Sequence, residues 1–280
     1  MIRRLGILLL SLTMIWTVAA GAARAEAGKR VHNGMQILFS PSLPFPFCTI
    51  GAVGTDKYGH HIAISAGHCL NDPEGTYADR EIPEDVAPVY DRSDTEFGPI
   101  GYVRYFKDPE GSGTGHMTKD YMVIELVPQV SLSSQGPYLK QTGEVKAPGG
   151  IPSPNAPHPA LDTERLLATG DNELIVSGQT GVWFGTVMDN SGGIYRSAAA
   201  NLTGDSGGPA IWHVPGTELP SQDNNFQASG PWAGITKAIT LSLPPFEYTS
   251  SANILADLRA RDRAAPAGVF GAGFEVTANP

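Results

Sequence analysis

Basic residues are scarce in this 280-residue chain: 19 Lys and Arg stand against 28 Asp and Glu, a formal net charge of −9. That deficit argues against nucleic acid or an anionic membrane as partner, because both attract clustered cations. Long apolar runs are almost as rare: residues 5–18 form one, and no second segment is long and apolar enough to span a bilayer. Long helical periods are few and no internal repeat is visible. No His/Cys/carboxylate group has metal-ligand spacing and no glycine-rich phosphate loop is present, so neither a metal nor a cofactor is expected. Cysteine is limited to Cys48 and Cys69.

What is present begins with a three-part leader. Arg3 and Arg4 give a basic start, Leu5 to Val18 an apolar run, and Ala23-Arg24-Ala25 a small-residue cleavage site. This is the build of a secretory signal peptide over residues 1–25; an uncleaved anchor is the competing reading. Removing it takes away three arginines and no acid, leaving 16 basic residues against 28 acidic ones. The mature protein is expected to be exported, to the cell envelope or outside it, and monomeric. Export and an even cysteine count favour a Cys48–Cys69 disulfide over two free thiols.

Abundant glycine (33) and proline (23) with few helical periods make the class mostly β. "CTIGAVG", "HIAISAGHC", "PIGYVRYF", "DYMVIELV", "ELIVSGQTGVWFGTV" and "WAGITKAIT" read as strands. Residues 71–98 carry nine acids against Arg80 and Arg92, a solvated loop or, alternatively, a calcium site built from some of these carboxylates. Residues 128–172, rich in Pro, Gly and Ser, read as a long connection. One convincing helix comes late, at "TSSANILADLRARDRAA", capped by Ser250 or Ser251, with Ile254, Leu255 and Leu258 on one face. A tail follows over 263–280.

Chemistry concentrates in residues 203–210, TGDSGGPA. A serine hydroxyl becomes a nucleophile when a histidine takes its proton and a carboxylate orients that histidine. Gly204-x-Ser206-x-Gly208 also fits the nucleophile elbow of α/β-hydrolases, whose order is Ser, acid, His. Here only His213 follows Ser206, seven residues on, and repeated strand–helix units are missing. The reverse order works. His68 lies in "SAGHC" beside Cys69, and Asp120 heads the strand "DYMVIEL", so His68, Asp120 and Ser206 follow as His, Asp, Ser.

On "CTIGAVG", "SAGHC", "KDYMVIEL", "SGQTGVWFGTV", "TGDSGGP", "AGIT" and the terminal helix, which together sample most of residues 31–262, the chain resembles the chymotrypsin-like serine peptidases. Within them it is most similar to the compact secreted bacterial branch that includes α-lytic protease and the Streptomyces griseus proteases. The resemblance implies two six-stranded antiparallel β-barrels, over 31–140 and 141–262, with the active site in the cleft between them and a C-terminal helix. It implies an endopeptidase acting on protein or peptide through an acyl-enzyme, with backbone N–H groups of Gly204 and Ser206 as the oxyanion hole. Cys48–Cys69 would correspond to the family disulfide beside the base. Two alternatives remain at this point: a catalytically silent binding module on the same fold, and an esterase on the same scaffold.

The chain also departs from that family. Asp205 meets no arginine before the "SG" strand, where Ile175 and Val176 stand; Val31, freed by cleavage after Arg30 of a short segment 26–30, another arginine such as Arg196, or local backbone donors are the candidate partners. Ala200 and Asn201 stand in the expected pocket, with Ala200 where trypsin-type enzymes keep an acid. The substrate-pairing strand reads Thr236-Lys237-Ala238, where side chains would narrow the pocket and Lys237 would favour an acidic group.

Overall fold

β-branched and aromatic stretches become strands throughout the chain. The computed structural model describes residues 28–43, 47–70, 72, 74–107, 119–133, 138–139, 145–146, 173–178, 181–212, 232–241 and 243–277. The leader and most of the long connection lie outside these residues. The first half contains β1 (Arg30–His32), β2 (Gln36–Leu38), β3 (Phe47–Thr49), β4 (Ala52–Thr55), β5 (His61–Ser65), β6 (Pro88–Asp91), β7 (Pro99–Lys107), β8 (Tyr121–Leu126) and β9 (Ser131–Ser133). A small antiparallel hairpin, β10 (Tyr138–Leu139) with β11 (Val145–Lys146), follows. The second half contributes β12 (Glu173–Gly178), β13 (Gly181–Ser191), β14 (Ile194–Ser197), β15 (Pro209–Trp212), β16 (Trp232–Ile239) and β17 (Phe246–Ser250). Helix α1 (Ser251–Ala264) and strand β18 (Glu275–Val276) complete the chain.

The second half closes into a six-stranded antiparallel barrel, β12-β13-β14-β17-β16-β15, with β12 paired to both β13 and β15. The first half is a curled antiparallel sheet in the order β18-β4-β5-β8-β7-β6-β2-β3. The expected mostly-β architecture with one late helix is therefore present. The first half differs from a six-stranded barrel: its sheet has eight strands, one edge strand comes from the tail, and β1 and β9 form a separate parallel pair. Glu275 pairs with Thr55 and Val276 with Gly54. Glycine at 54 permits that approach, because a Cβ there would lie 1.9 Å from the Glu275 carbonyl oxygen.

The two halves share a core through β8, which sits between β5 and β7. Five of its six residues are buried. Alternation along the strand sends Met122, Ile124 and Leu126 into the core of the first half, against Ile37, Val103 and Phe106. Tyr121 and Val123 face the other way and join Trp232, Ile235, Ile254 and Leu258 of the second half. A strand buried on both faces reads as a continuous apolar run, as this one does. Each large side chain fully buried in this seam contributes about 1.5–3 kcal/mol.

Helix α1 supplies Ile254 and Leu258, one turn apart, to that seam. Ser250 caps it by accepting the Asn253 N–H at 3.1 Å. The helix ends at Ala264, two residues before Pro266, which cannot continue it. No helix among the described residues is long and apolar enough to cross a membrane.

Candidate active site

The turn bearing His68 is shaped by its small neighbours. Gly67, His68 and Cys69 form a single 3-10 turn just after β5. Gly67 lies so close to the adjoining strands that a Cβ would sit 1.7 Å from the Lys107 carbonyl oxygen and 2.9 Å from that of Tyr121. Cys69 is bonded to Cys48 across a sequence separation of 21, with Cα atoms 6.2 Å apart. In the chain-entropy picture a loop of that size contributes about 3 kcal/mol, and here it ties the residue after His68 to β3.

Asp120 is fully buried and directs both carboxylate oxygens at His68. Oδ1 accepts the His68 backbone N–H at 3.0 Å, and Oδ2 lies 2.7 Å from His68 Nδ1. A carboxylate only accepts, so Nδ1 carries a proton, and in the neutral ring Nε2 keeps its lone pair. The imidazole keeps 29% of its side-chain surface exposed, whereas the carboxylate has none. Asp120 owes its burial to its place at the head of β8.

The turn with Ser206 is built from Asn201 to Gly208. Asp205 N–H donates to the Leu202 carbonyl at 3.0 Å, and Leu202 N–H donates to Asp205 Oδ2 at 2.9 Å. Gly208 N–H donates to the Asp205 carbonyl at 2.8 Å. Gly204 (φ +97°) and Gly207 (φ +82°) occupy backbone conformations that side chains resist. Among the described residues, the N–H groups of Asp205, Gly207 and Gly208 have carbonyl acceptors, whereas those of Gly204 and Ser206 have none. These two are the donors expected to form an oxyanion hole.

Two polar residues that sequence reasoning missed bring the turns together. Thr49 donates its N–H to the Ser206 carbonyl and its Oγ1 to the Gly204 carbonyl, both at 2.8 Å. Ser65 donates its Oγ to the Thr49 carbonyl at 2.8 Å. Gly207 nests against them: a Cβ would lie 2.2 Å from Ser65 Oγ, 2.5 Å from the Thr49 carbonyl oxygen and 2.7 Å from the Ala66 nitrogen. Ser206, partly exposed, is therefore carried next to a segment two residues from His68. The only local signal in the sequence was Thr49 following Cys48 and Ser65 preceding "AGHC".

The strand expected to pair with substrate is β16. Gly207 N–H donates to the Thr236 carbonyl and Thr236 N–H to the Gly208 carbonyl, which binds β16 to the Ser206 turn. Thr236 and Asn201 are buried, and Ala200 and Ala238 are half-buried. Lys237 sits at a bulge in the β16–β17 ladder and is itself buried, its Nζ 2.8 Å from Glu247 Oε2. Arg196 Nε donates to Glu247 Oε1 at 2.9 Å. Burial pushes the Glu247 carboxyl up, but the Lys237 and Arg196 cations more than offset this and hold it below the usual carboxylate range.

Of the candidate partners of Asp205, a local backbone donor meets it, the Leu202 N–H at 2.9 Å, whereas Arg196 and Val31 are engaged elsewhere. Arg196 is engaged by Glu247 and by Asp189. Val31 is fully buried in the amino-terminal core, paired with Leu132, and the preceding Lys29 carbonyl accepts the Ser131 N–H. In the acid-rich stretch, Asp72 accepts the N–H groups of Thr76, Tyr77 and Ala78. No group of three metal-ligating side chains occurs among the described residues. An apolar cavity of about 300 Å³, lined in part by Phe39, Leu43, Cys69, Leu70 and Tyr77, lies beyond the disulfide.

No protein-family model matches the chain, and no curated protein matches it. Among solved structures, Thermobifida fusca protease A is 16% identical with a TM-score of 0.46, over 81% of this chain and 95% of that one. Cellulomonas bogoriensis chymotrypsin is 18% identical with a TM-score of 0.44, over 81% and 95%. A glutamic-acid-specific serine protease is 17% identical with a TM-score of 0.46, over 88% and 100%. The chain shares fewer than one residue in five with each of these three.

Proposed function

We propose that the protein is an exported serine endopeptidase that needs no cofactor and cleaves peptide bonds with Ser206, His68 and Asp120. The observation that carries this reading is the buried Asp120 carboxylate, 2.7 Å from His68 Nδ1, with the Ser206 turn bonded to Thr49 and packed against Ala66, two residues before His68. Ser206 Oγ attacks the scissile carbonyl while His68 Nε2 takes its proton. Asp120 fixes the tautomer and stabilises the imidazolium that forms. The oxyanion is received by the N–H groups of Gly204 and Ser206, each worth roughly 3–4 kcal/mol in the transition state. The imidazolium then protonates the leaving amine, and water hydrolyses the acyl-enzyme by the same steps in reverse.

The test is the intact mass of the secreted protein before and after a fluorophosphonate, with Ser206→Ala as control. One adduct on the wild type, absent from the mutant, is expected. A folded wild type that takes up no adduct would refute the reading and favour a binding module. Comparison of amide and ester substrates separates peptidase from esterase. With Val31 already in the core and Lys29 bonded ahead of it, the active chain is expected to begin at Glu26, which the same spectrum reports.

A further inference from the structure

Asp257 is an acid on the apolar face of helix α1, between Ile254 and Leu258, and is 5% exposed. Its carboxylate reaches out of the second half into the first. Oδ1 lies 2.9 Å from Lys119 Nζ, and Oδ2 accepts the Tyr121 hydroxyl at 2.7 Å, with Lys107 Nζ at 3.7 Å. Lys119 and Tyr121 are the residues on either side of Asp120. Lys107 and Tyr121 are also the residues whose carbonyls leave room only for glycine at position 67, one residue before His68. A single buried carboxylate therefore holds the side chains of both neighbours of Asp120, while Lys107 Nζ lies closer to Asp79, at 2.6 Å.

We infer that Asp257 is a positioning residue for the Asp120–His68 hydrogen bond, acting from the carboxy-terminal helix on the other half of the molecule. The inference rests on the peptidase reading for its kinetic consequence, and on the geometry alone for its effect on His68. Tethering the residues on both sides of Asp120 removes the freedom of the segment entering β8 to rotate, and so preserves the 2.7 Å contact to Nδ1. Simple helix docking does not require this arrangement, because the same helix has a second anchor one turn on, which meets the first at Asp79, 2.6 Å from Lys107 Nζ. Arg261 pairs with Glu81 and stacks 3.2 Å over the Tyr105 ring, and the Tyr105 hydroxyl donates to Asp79.

That second anchor supplies the control. Asp257→Ala and Arg261→Met would be compared with wild type in the full secreted protein by two readouts. One is the low-field proton resonance of His68 Nδ1–H, and the other is the split between kcat and KM on a peptide substrate. Asp257→Ala is expected to lose or shift the resonance and to lower kcat about 10- to 100-fold with little change in KM. Arg261→Met is expected to weaken stability while leaving both at wild-type values. An unchanged resonance and kcat in folded Asp257→Ala would overturn the inference and leave Asp257 as a docking residue. If the wild type has no activity but Asp257→Ala still loses the resonance, the positioning role stands and the peptidase reading fails. Asp257→Asn, which keeps the volume and one hydrogen bond, gives the same reading should the alanine variant not fold.

Discussion

Substituting Gly207 by alanine tests the seam between the Ser206 turn and the amino-terminal sheet, and two separable penalties set the result. Gly207 has φ +82°, which costs an alanine roughly 1–2 kcal/mol in backbone conformation. The added methyl would also meet two backbone atoms, the Thr49 oxygen at 2.5 Å and the Ala66 nitrogen at 2.7 Å, besides Ser65 Oγ at 2.2 Å. Neither backbone can yield without moving the Cys48–Cys69 region or the start of the His68 turn, and overpacking of this kind costs about 1–3 kcal/mol more. Gly59 separates the penalties: its φ is +87°, yet a Cβ there would have nothing within 4 Å. Urea unfolding should therefore place Gly59→Ala about 1–2 kcal/mol below wild type and Gly207→Ala about 2–5 kcal/mol below. Only Gly207→Ala should also slow fluorophosphonate labelling of Ser206. Equal losses for the two variants, with labelling unaffected, would refute the close packing of the two turns.

Two further perturbations follow from buried charge. Burial lowers the pKa of His32 to about 4, so between pH 6.5 and 4 the unfolded chain binds a proton that the folded one refuses. Its contribution, complete above pH 6.5, should fall by about 3 kcal/mol as the pH drops to 4. Urea titrations over that range should show the loss in wild type and a flatter profile in His32→Asn; parallel profiles would contradict it. Glu247→Gln leaves the buried Lys237 without its anion and should destabilise by about 3–5 kcal/mol, most of which Lys237→Met restores in the double variant. Simple additivity of the two losses would show that the pair is not coupled.

The candidate site was legible where its geometry is local. "SAGHC" and "TGDSGGP" are contiguous stretches whose small residues serve tight turns, and their glycines at 67, 204 and 207 stand where a side chain would collide or strain. The near-continuous apolar run in "DYMVIEL" announced a buried strand, and with it a dry place for the acid at its head. The apolar face of the late helix was equally plain, although Asp257 on that face carried the one local hint of a polar task. By contrast, "GVFGAGFEVTANP" has too short an apolar pattern to reveal its partner, and its edge strand was invisible.

Sequence alone determined what depends on neighbours along the chain: strand character from period-two alternation, the capped helix, the glycine turns and the order His, Asp, Ser. Tertiary structure alone decided what depends on contacts between distant segments. Thr49 reaches Gly204 across 155 residues, and Asp257 reaches Tyr121 across 136. The bulge at Lys237 sets that ammonium on Glu247, and the tail adds an eighth strand to the first sheet. Such pairings leave no periodic trace, because a single hydrogen bond or ion pair constrains one residue at each end and nothing between them.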